Sequence, residues 1–285
     1  MREFIQDFKK LVKLRLTLLV VFSASICFLI GEHYEGSIHW VNWIKLIIGG
    51  FLVTSAANGF NEIIEKDLDK LMTRTADRPL PSEKMTTGQA LVLSLIMGIA
   101  GTYLLGSLNL LTGVLSVFSI FLYAFVYTPM KRKSPIAVFV GAIPGALPPL
   151  IGYVASHGQI DTIALVLFGI QFMWQFPHFW AIAWVLDDDY KKAGFRLLPT
   201  TRRDRTSAIV TLASTVILIP VSLLPTFFGF GGYLIAIVSL IMGLIFTYQA
   251  FMLAKNLDVK SARKLMFGSF IYLPVVQLVL LFNLT

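Results

Sequence analysis

Apolar runs of roughly twenty residues, the length that crosses a bilayer core, recur along almost the whole chain. They fall at about 16–31, 42–60, 89–106, 109–128, 136–155, 162–185, 207–226, 231–253 and 265–283. Lipid offers the backbone no hydrogen-bond partners, so only helices or a closed barrel can cross it. The runs are continuous rather than alternating, which excludes the barrel. Only 14% of residues are charged, against about a quarter in soluble domains. The expectation is a single all-α polytopic domain over residues 1–285, with nine transmembrane helices.

Lysine and arginine orient these helices, because cytoplasmic loops are enriched in them. The N-terminus holds Arg2, Lys9, Lys10, Lys13 and Arg15. The connections after the second, fourth, sixth and eighth runs hold the rest, leaving only Lys45 on the other side. The N-terminus is therefore expected in the cytoplasm and the C-terminus outside. The net charge of +8 is an orientation signal, and no nucleic-acid partner is needed to explain it. Residues 1–15 read as a basic interfacial helix, with Phe4, Ile5, Phe8, Leu11 and Val12 on one face. No signal-peptide cleavage site or transit segment is evident, which points to a bacterial cytoplasmic (inner) membrane. The single cysteine, Cys27, sits in the first run and reads as a small core residue.

The outer loops are short. Two inner connections, 61–88 and 186–206, are long and charged, and are expected to carry the chemistry. They sit four spans apart, which suggests two four-helix halves plus a ninth helix.

"NGFNEIIEKDLDKLMTRTADRPLP" begins at Asn58. At about 100° per residue, Glu65 and Asp69 lie about 40° and 80° from Asn61, and Asn58 about 60° from it. Asp67 points away. If the helix continues past the membrane surface, Asn61, Glu65 and Asp69 present one oxygen ligand per turn, with Asn58 on the same stripe. Such a set suits Mg²⁺ completed by substrate phosphates. Arg74 and Arg78 follow, and arginine beside a metal-carboxylate site suits a diphosphate. The bland alternative is a solvated helix end, but acids in register at the bilayer edge are expensive.

"YTPMKRKSP" contains Tyr127, Lys131 and Arg132. Alone it reads as positive-inside charge; beside the acidic stripe, Lys131 and Arg132 become candidates to hold a leaving diphosphate. In "QFMWQFPHFWAIAWVLDDDYKKAGFRLLP", Gln171, Trp174, Gln175 and His178 share a face. A buried histidine among aromatics is often only a core residue, but two glutamines beside it favour contact with substrate. If that helix reached Asp189, its acid would return to the same face, though Pro177 and Gly194 argue for a break. Pro144, Pro148 and Pro149 in "GAIPGALPPLIG" read as a structural kink that also widens a cavity.

Taken together, N-x-x-x-(D/E)-x-x-x-D with "MTRT", then "YTPMKR", then "WQFPHFW" with "DDYKKAGFRLLP", resemble the UbiA superfamily of intramembrane prenyltransferases over nearly the whole chain. The "GALPPLIGY" helix and the "WQFPHF" and "DDY" segments resemble its haem-directed rather than its quinone-directed branch. The resemblance implies nine helices around a central cavity, with Mg²⁺ on Asn61, Glu65 and Asp69 as the catalytic centre. It implies diphosphate on Arg74, Arg78, Lys131 and Arg132. Substrate contacts would come from Asn58, Tyr127, Gln171, Trp174, Gln175, His178, Asp188 and Asp189. Farnesyl diphosphate would be the donor and haem B the acceptor, giving haem O for haem-copper oxidases. Membrane lipid would surround the bundle, and a downstream haem-modifying enzyme would take the product. Glu65 departs from the more usual Asp, and "DDDY" from the evenly spaced second acidic motif of other members. Two other readings stand beside this one: a prenyltransferase acting on a quinone-ring precursor, and a multi-span transporter, which the lack of midplane charge disfavours.

Overall fold

The computed structural model describes residues 2–285, and Met1 lies outside them. Twelve α-helices follow one another: α1 Arg2–Leu11, α2 Leu14–Glu35, α3 Trp40–Asp69, α4 Thr87–Gly106, α5 Leu110–Phe121, α6 Thr128–Met130, α7 Ala137–His157, α8 Thr162–Val185, α9 Asp187–Lys192, α10 Arg205–Phe227, α11 Tyr233–Asn256 and α12 Val259–Leu281. A π-helical stretch, Leu122–Tyr127, joins α5 to α6, so that Leu110–Met130 forms one span. Among the described residues nine helices are long and apolar enough to cross a membrane. The protein is a multi-pass membrane protein.

Short polar caps start many of these helices. The side chains of Asn109, Asp161, Asp204 and Asp258 each accept the backbone N–H three residues on. Thr86 and Gln89 form a reciprocal capping box on α4. Each cap satisfies a backbone donor that the helix itself leaves open.

The spans close into a ring. α2 packs on α3 and α7, α3 on α4, α4 on α5, and α5 on α7; α8 touches α7, α10 and α12, while α10 and α11 lead to α12, which returns to α2. Burial separates their roles. The apolar window of Ala137–His157 is 72% buried, that of Leu110–Met130 only 22%. α7 is thus an inner post, and the exposed Leu, Ile and Phe of the other spans form a lipid-facing belt.

α7 can sit there because it is made of small residues and prolines. Pro149 has no N–H to give to the Gly145 carbonyl. The Gln171 side-chain amide donates to that carbonyl instead, at 2.7 Å. At Gly152 the backbone of α2 comes so close that an added Cβ would collide with the Ala24 carbonyl. Gly152→Ala should therefore separate α2 from α7 and cost about 1–3 kcal/mol or more. The yield and melting temperature of the detergent-solubilised protein measure this, and wild-type values would contradict it.

Pro177 does not interrupt α8, contrary to the break expected there. Transmembrane helices tolerate proline because neighbouring helices and local adjustments absorb the freed carbonyl. Only Leu186 separates α8 from α9. Likewise, residues 61–69 of the expected first loop are the last turns of α3, and the connection proper covers 70–86.

Candidate active site

α3 continues to Asp69, so the polar stripe exists as a helical face. Asn58, Asn61, Glu65 and Asp69 are all buried, while Asp67 is exposed. Apolar burial of three carboxylates would be prohibitive without partners. The chain supplies three cations against them.

Lys131, just past α6, lies 2.8 Å from Glu65 Oε1 and donates to Oε2 at 3.0 Å. Arg78 donates to Asp69 Oδ2 at 2.7 Å. Lys13 donates to Asn61 Oδ1 at 2.6 Å, and the Asn61 amide donates to Glu65 Oε2 at 2.9 Å and to Thr128 Oγ at 3.0 Å. The third carboxylate is Glu62, fully buried, which accepts the Leu80 N–H at 3.2 Å. Burial lowers the Lys13 pKa to about 7, with repulsion from Arg78 and Lys131 adding to it and Glu65 and Asp69 opposing. Burial works most strongly against the Lys131 charge, but the Glu65 carboxylate together with Tyr123 and Tyr190 outweighs it and the net shift is upward.

The wide π turn shapes this corner. Both the backbone N–H and the hydroxyl of Thr128 reach back five residues to the Tyr123 carbonyl. Tyr123 and Tyr127 line the cavity below, and the Lys131 ammonium lies 5.0 Å from the Tyr127 ring and 5.5 Å from that of Phe195. Such π-bulges recur at functional sites.

The donor set suits a hard divalent cation. All of its ligating atoms are oxygens, one turn apart. Asp69 Oδ1 and Glu62 Oε2 are buried and have no hydrogen-bond partner among the described residues. An unpaired buried carboxylate oxygen is costly, so these two oxygens are available to ligate a cation. No group of three His, Cys, Asp or Glu forms a ready-made metal cage among the described residues. The arrangement is instead one in which the chain's own cations would move onto a phosphate as a metal takes the carboxylates.

Next to the charged cluster lies a partly open apolar cavity of about 290 Å³. Asn58, Tyr127, Gln171, Trp174, Gln175 and His178 all line it. Gln171 accepts from Ser23 at 2.8 Å and from Gln277 at 3.2 Å, joining α2, α8 and α12. Gln175 donates to the Ala142 carbonyl at 3.0 Å.

Other expected residues lie elsewhere. The Arg74 and Arg132 side chains are exposed at the rim and are not brought onto the carboxylates. Asp188 is exposed and pairs with Arg203 at 3.0 Å. Asp189 accepts from the Thr73 and Arg74 backbone at 2.8 and 3.2 Å and from Lys192 at 3.0 Å. It therefore clasps the 70–86 connection to α9 rather than facing the cavity. Its slight burial opposes ionisation, yet these donors hold its pKa down to about 2. A depressed carboxylate pKa stabilises above the unfolded value and is lost as pH falls through the folded one, so the clasp holds until pH drops from about 4 towards 2. Asp189→Ala should release residues 73–80 to rapid amide exchange and lower turnover about tenfold by loosening Arg78. Unchanged exchange would show that the connection is held by other contacts.

Lys13, Glu62 and Thr128 escape sequence reasoning. Glu62 has a readable signal, because it falls about 100° from Asn61 and so next to Asp69. Lys13 has none: it reaches the site through a left-handed backbone turn between α1 and α2, with φ of 48°.

The spans thus close into a ring with a buried charged cluster beside an apolar cavity. The sequence model of the UbiA prenyltransferase family matches residues 20–272, and the chain belongs to that family. Within it the chain is similar to the protoheme IX farnesyltransferases. That of Cytophaga hutchinsonii is 48% identical over 275 residues, 96% of each chain. That of Christiangramia forsetii is 43% identical over 280 residues, 96% of this chain and 92% of its own. Among solved structures, one of a digeranylgeranylglyceryl phosphate synthase matches with a TM-score of 0.82 at 21% identity, covering 99% of this chain and 98% of that one. A UbiA homolog from Archaeoglobus fulgidus bound to GPP and Mg²⁺ matches with a TM-score of 0.68 at 13% identity, covering 96% and 99%. At those identities the structural likeness speaks for the fold. Family membership makes the protein a prenyltransferase and removes the transport reading.

Proposed function

We propose that the protein transfers the farnesyl group of farnesyl diphosphate to a vinyl group of haem B, with Mg²⁺ as cofactor. Water completes the addition, so that haem B, farnesyl diphosphate and water yield haem O and diphosphate. The observation that carries this reading is the match of three buried carboxylates by three chain cations beside an apolar cavity. The acceptor assignment is supported by the names of the relatives.

Mg²⁺ held by Asn61, Glu65 and Asp69 would supply charge neutralisation to the departing diphosphate. Arg78 and Lys131 exchange their carboxylate partners, and Lys13 its Asn61 amide oxygen, for phosphate oxygens and stabilise the negative charge that develops there. Arg74 and Arg132, exposed at the rim, are placed to meet the outer phosphate first. Tyr127, Tyr123 and Trp174 turn aromatic surface towards the cavity, where a cationic allylic carbon is stabilised by ring faces. The apolar walls keep stray water from that carbon until the vinyl group attacks. The concentration of Lys and Arg at one end of the bundle supports a mouth on the cytoplasmic side of a bacterial inner membrane, with the C-terminus outside.

Purified protein supplied with farnesyl diphosphate and haem B should form a haem heavier by one farnesyl group and one hydroxyl group. EDTA should abolish the product and Mg²⁺ restore it. Prenylation of a quinone-ring precursor in place of haem would overturn the acceptor, and full activity in EDTA would overturn the metal.

A further inference from the structure

We infer that His178 is an axial ligand to the iron of the bound haem, through Nε2, and so fixes where the macrocycle sits before transfer. This rests on the haem reading of the acceptor.

The inference starts from a hydrogen-bond count. His178 Nδ1 lies 2.7 Å from Ser269 Oγ. The Ser269 hydroxyl has one proton, and it is committed to the Met266 carbonyl at 2.5 Å. The serine oxygen can therefore only accept from His178, which places the ring proton on Nδ1. Nε2 is left as a bare lone pair. It has no hydrogen-bond partner among the described residues, yet it is not one of the sealed, unpartnered polar atoms of the interior. The ring lines the apolar cavity, so the lone pair is available to a ligand in that space.

The ring is also held still. Trp174 stacks on it at 4.5 Å and 18°, and Phe270 meets it edge-on at 5.3 Å. The Trp174 indole N–H donates to the Ser269 carbonyl at 3.0 Å, so one residue of α12 anchors both rings. A neutral imidazole whose second nitrogen donates to an anchored oxygen is the usual form of a metal-bound histidine, and a single such histidine holds haem iron in many proteins. A histidine kept only for packing would have no reason to leave an acceptor open in an apolar cavity, where an unmet polar atom is costly.

Position agrees with the chemistry. His178 lies about two turns before the end of α8, roughly 10 Å in from it at 1.5 Å per residue. Asn58, which lines the same cavity from α3, lies about 16 Å in from the end of that helix. Iron held at Nε2 keeps the macrocycle within reach of the charged mouth, so that a vinyl edge can approach the allylic carbon. Because an axial bond runs in the imidazole plane, the macrocycle stands across the His178 and Trp174 rings, and the stacked pair sets its tilt.

The test uses the full chain in detergent with haem B and no prenyl donor, so that binding is read without turnover. Wild-type protein should show an iron–histidine stretching band in the resonance Raman spectrum of the ferrous complex. His178→Ala should lose that band, bind haem B at least tenfold more weakly, and recover the histidine-like spectrum with added imidazole. Metal-free protoporphyrin IX should bind both proteins alike. Ser269→Ala should keep the band but shift its frequency, since Nδ1 loses its acceptor. Thermal stabilisation by farnesyl diphosphate with Mg²⁺ should persist in His178→Ala, showing that the variant is folded. A wild-type spectrum in His178→Ala, or equal loss of haem and metal-free porphyrin, would overturn the inference while the haem reading stands. Failure of the wild type to bind or prenylate haem would overturn both.

Discussion

Asp69→Asn should reduce prenyl transfer about 10²–10³-fold while leaving an inserted, folded protein. The substitution keeps the size of the side chain and one oxygen for Arg78, so the last turn of α3 should survive. What it removes is a full negative charge at the buried end of the stripe, next to the oxygen that has no partner. Losing one preorganised electrostatic group in such a site typically costs that factor. The loss should be partly offset by raising Mg²⁺, because a weaker ligand set binds the ion less tightly. Steady-state rates across a Mg²⁺ titration, beside a melting curve, measure this. Wild-type turnover at low Mg²⁺ would remove Asp69 from the metal assignment.

Lys131→Met is expected to act in two opposed directions. Turnover should fall by roughly 10²-fold or more, since a cation that would meet the leaving diphosphate is gone. Yet divalent-cation binding to the protein without substrate should tighten, because Glu65 loses the ammonium that now occupies it. The fold should suffer as well. Removing one partner of a buried pair costs about 3–5 kcal/mol, and Glu65 is only 3% exposed. Mg²⁺ should restore part of that loss by binding the folded state. Melting temperatures with and without Mg²⁺, for wild type and variant, separate the effects. A variant that Mg²⁺ stabilises no more than wild type would show that Lys131 and the ion do not compete for the same carboxylate.

The stripe of Asn61, Glu65 and Asp69 is legible because a helix carries its own geometry: residues four apart must share a face. The spans are legible because a bilayer allows so few structures. The partners of those residues are another matter. Lys13 is 48 positions from Asn61, Lys131 is 66 from Glu65, and Ser269 is 91 from His178. Nothing local ties them together; ring closure does. Asp189 shows the opposite error. Its acidity and spacing suggest a ligand, but its oxygens are already taken by the backbone N–H groups of Thr73 and Arg74. Arg74 and Arg132 carry the expected chemistry in the expected segments. Their exposure, however, depends on how the connections fold over the rim, which periodicity does not reach.

The cavity is oily along its walls and ionic only at one end. An enzyme so built releases its two products into different phases. The inorganic fragment drains into water, the enlarged greasy one partitions into the surrounding membrane, and their separation by solubility leaves little chance of the pair meeting again to reverse the transfer.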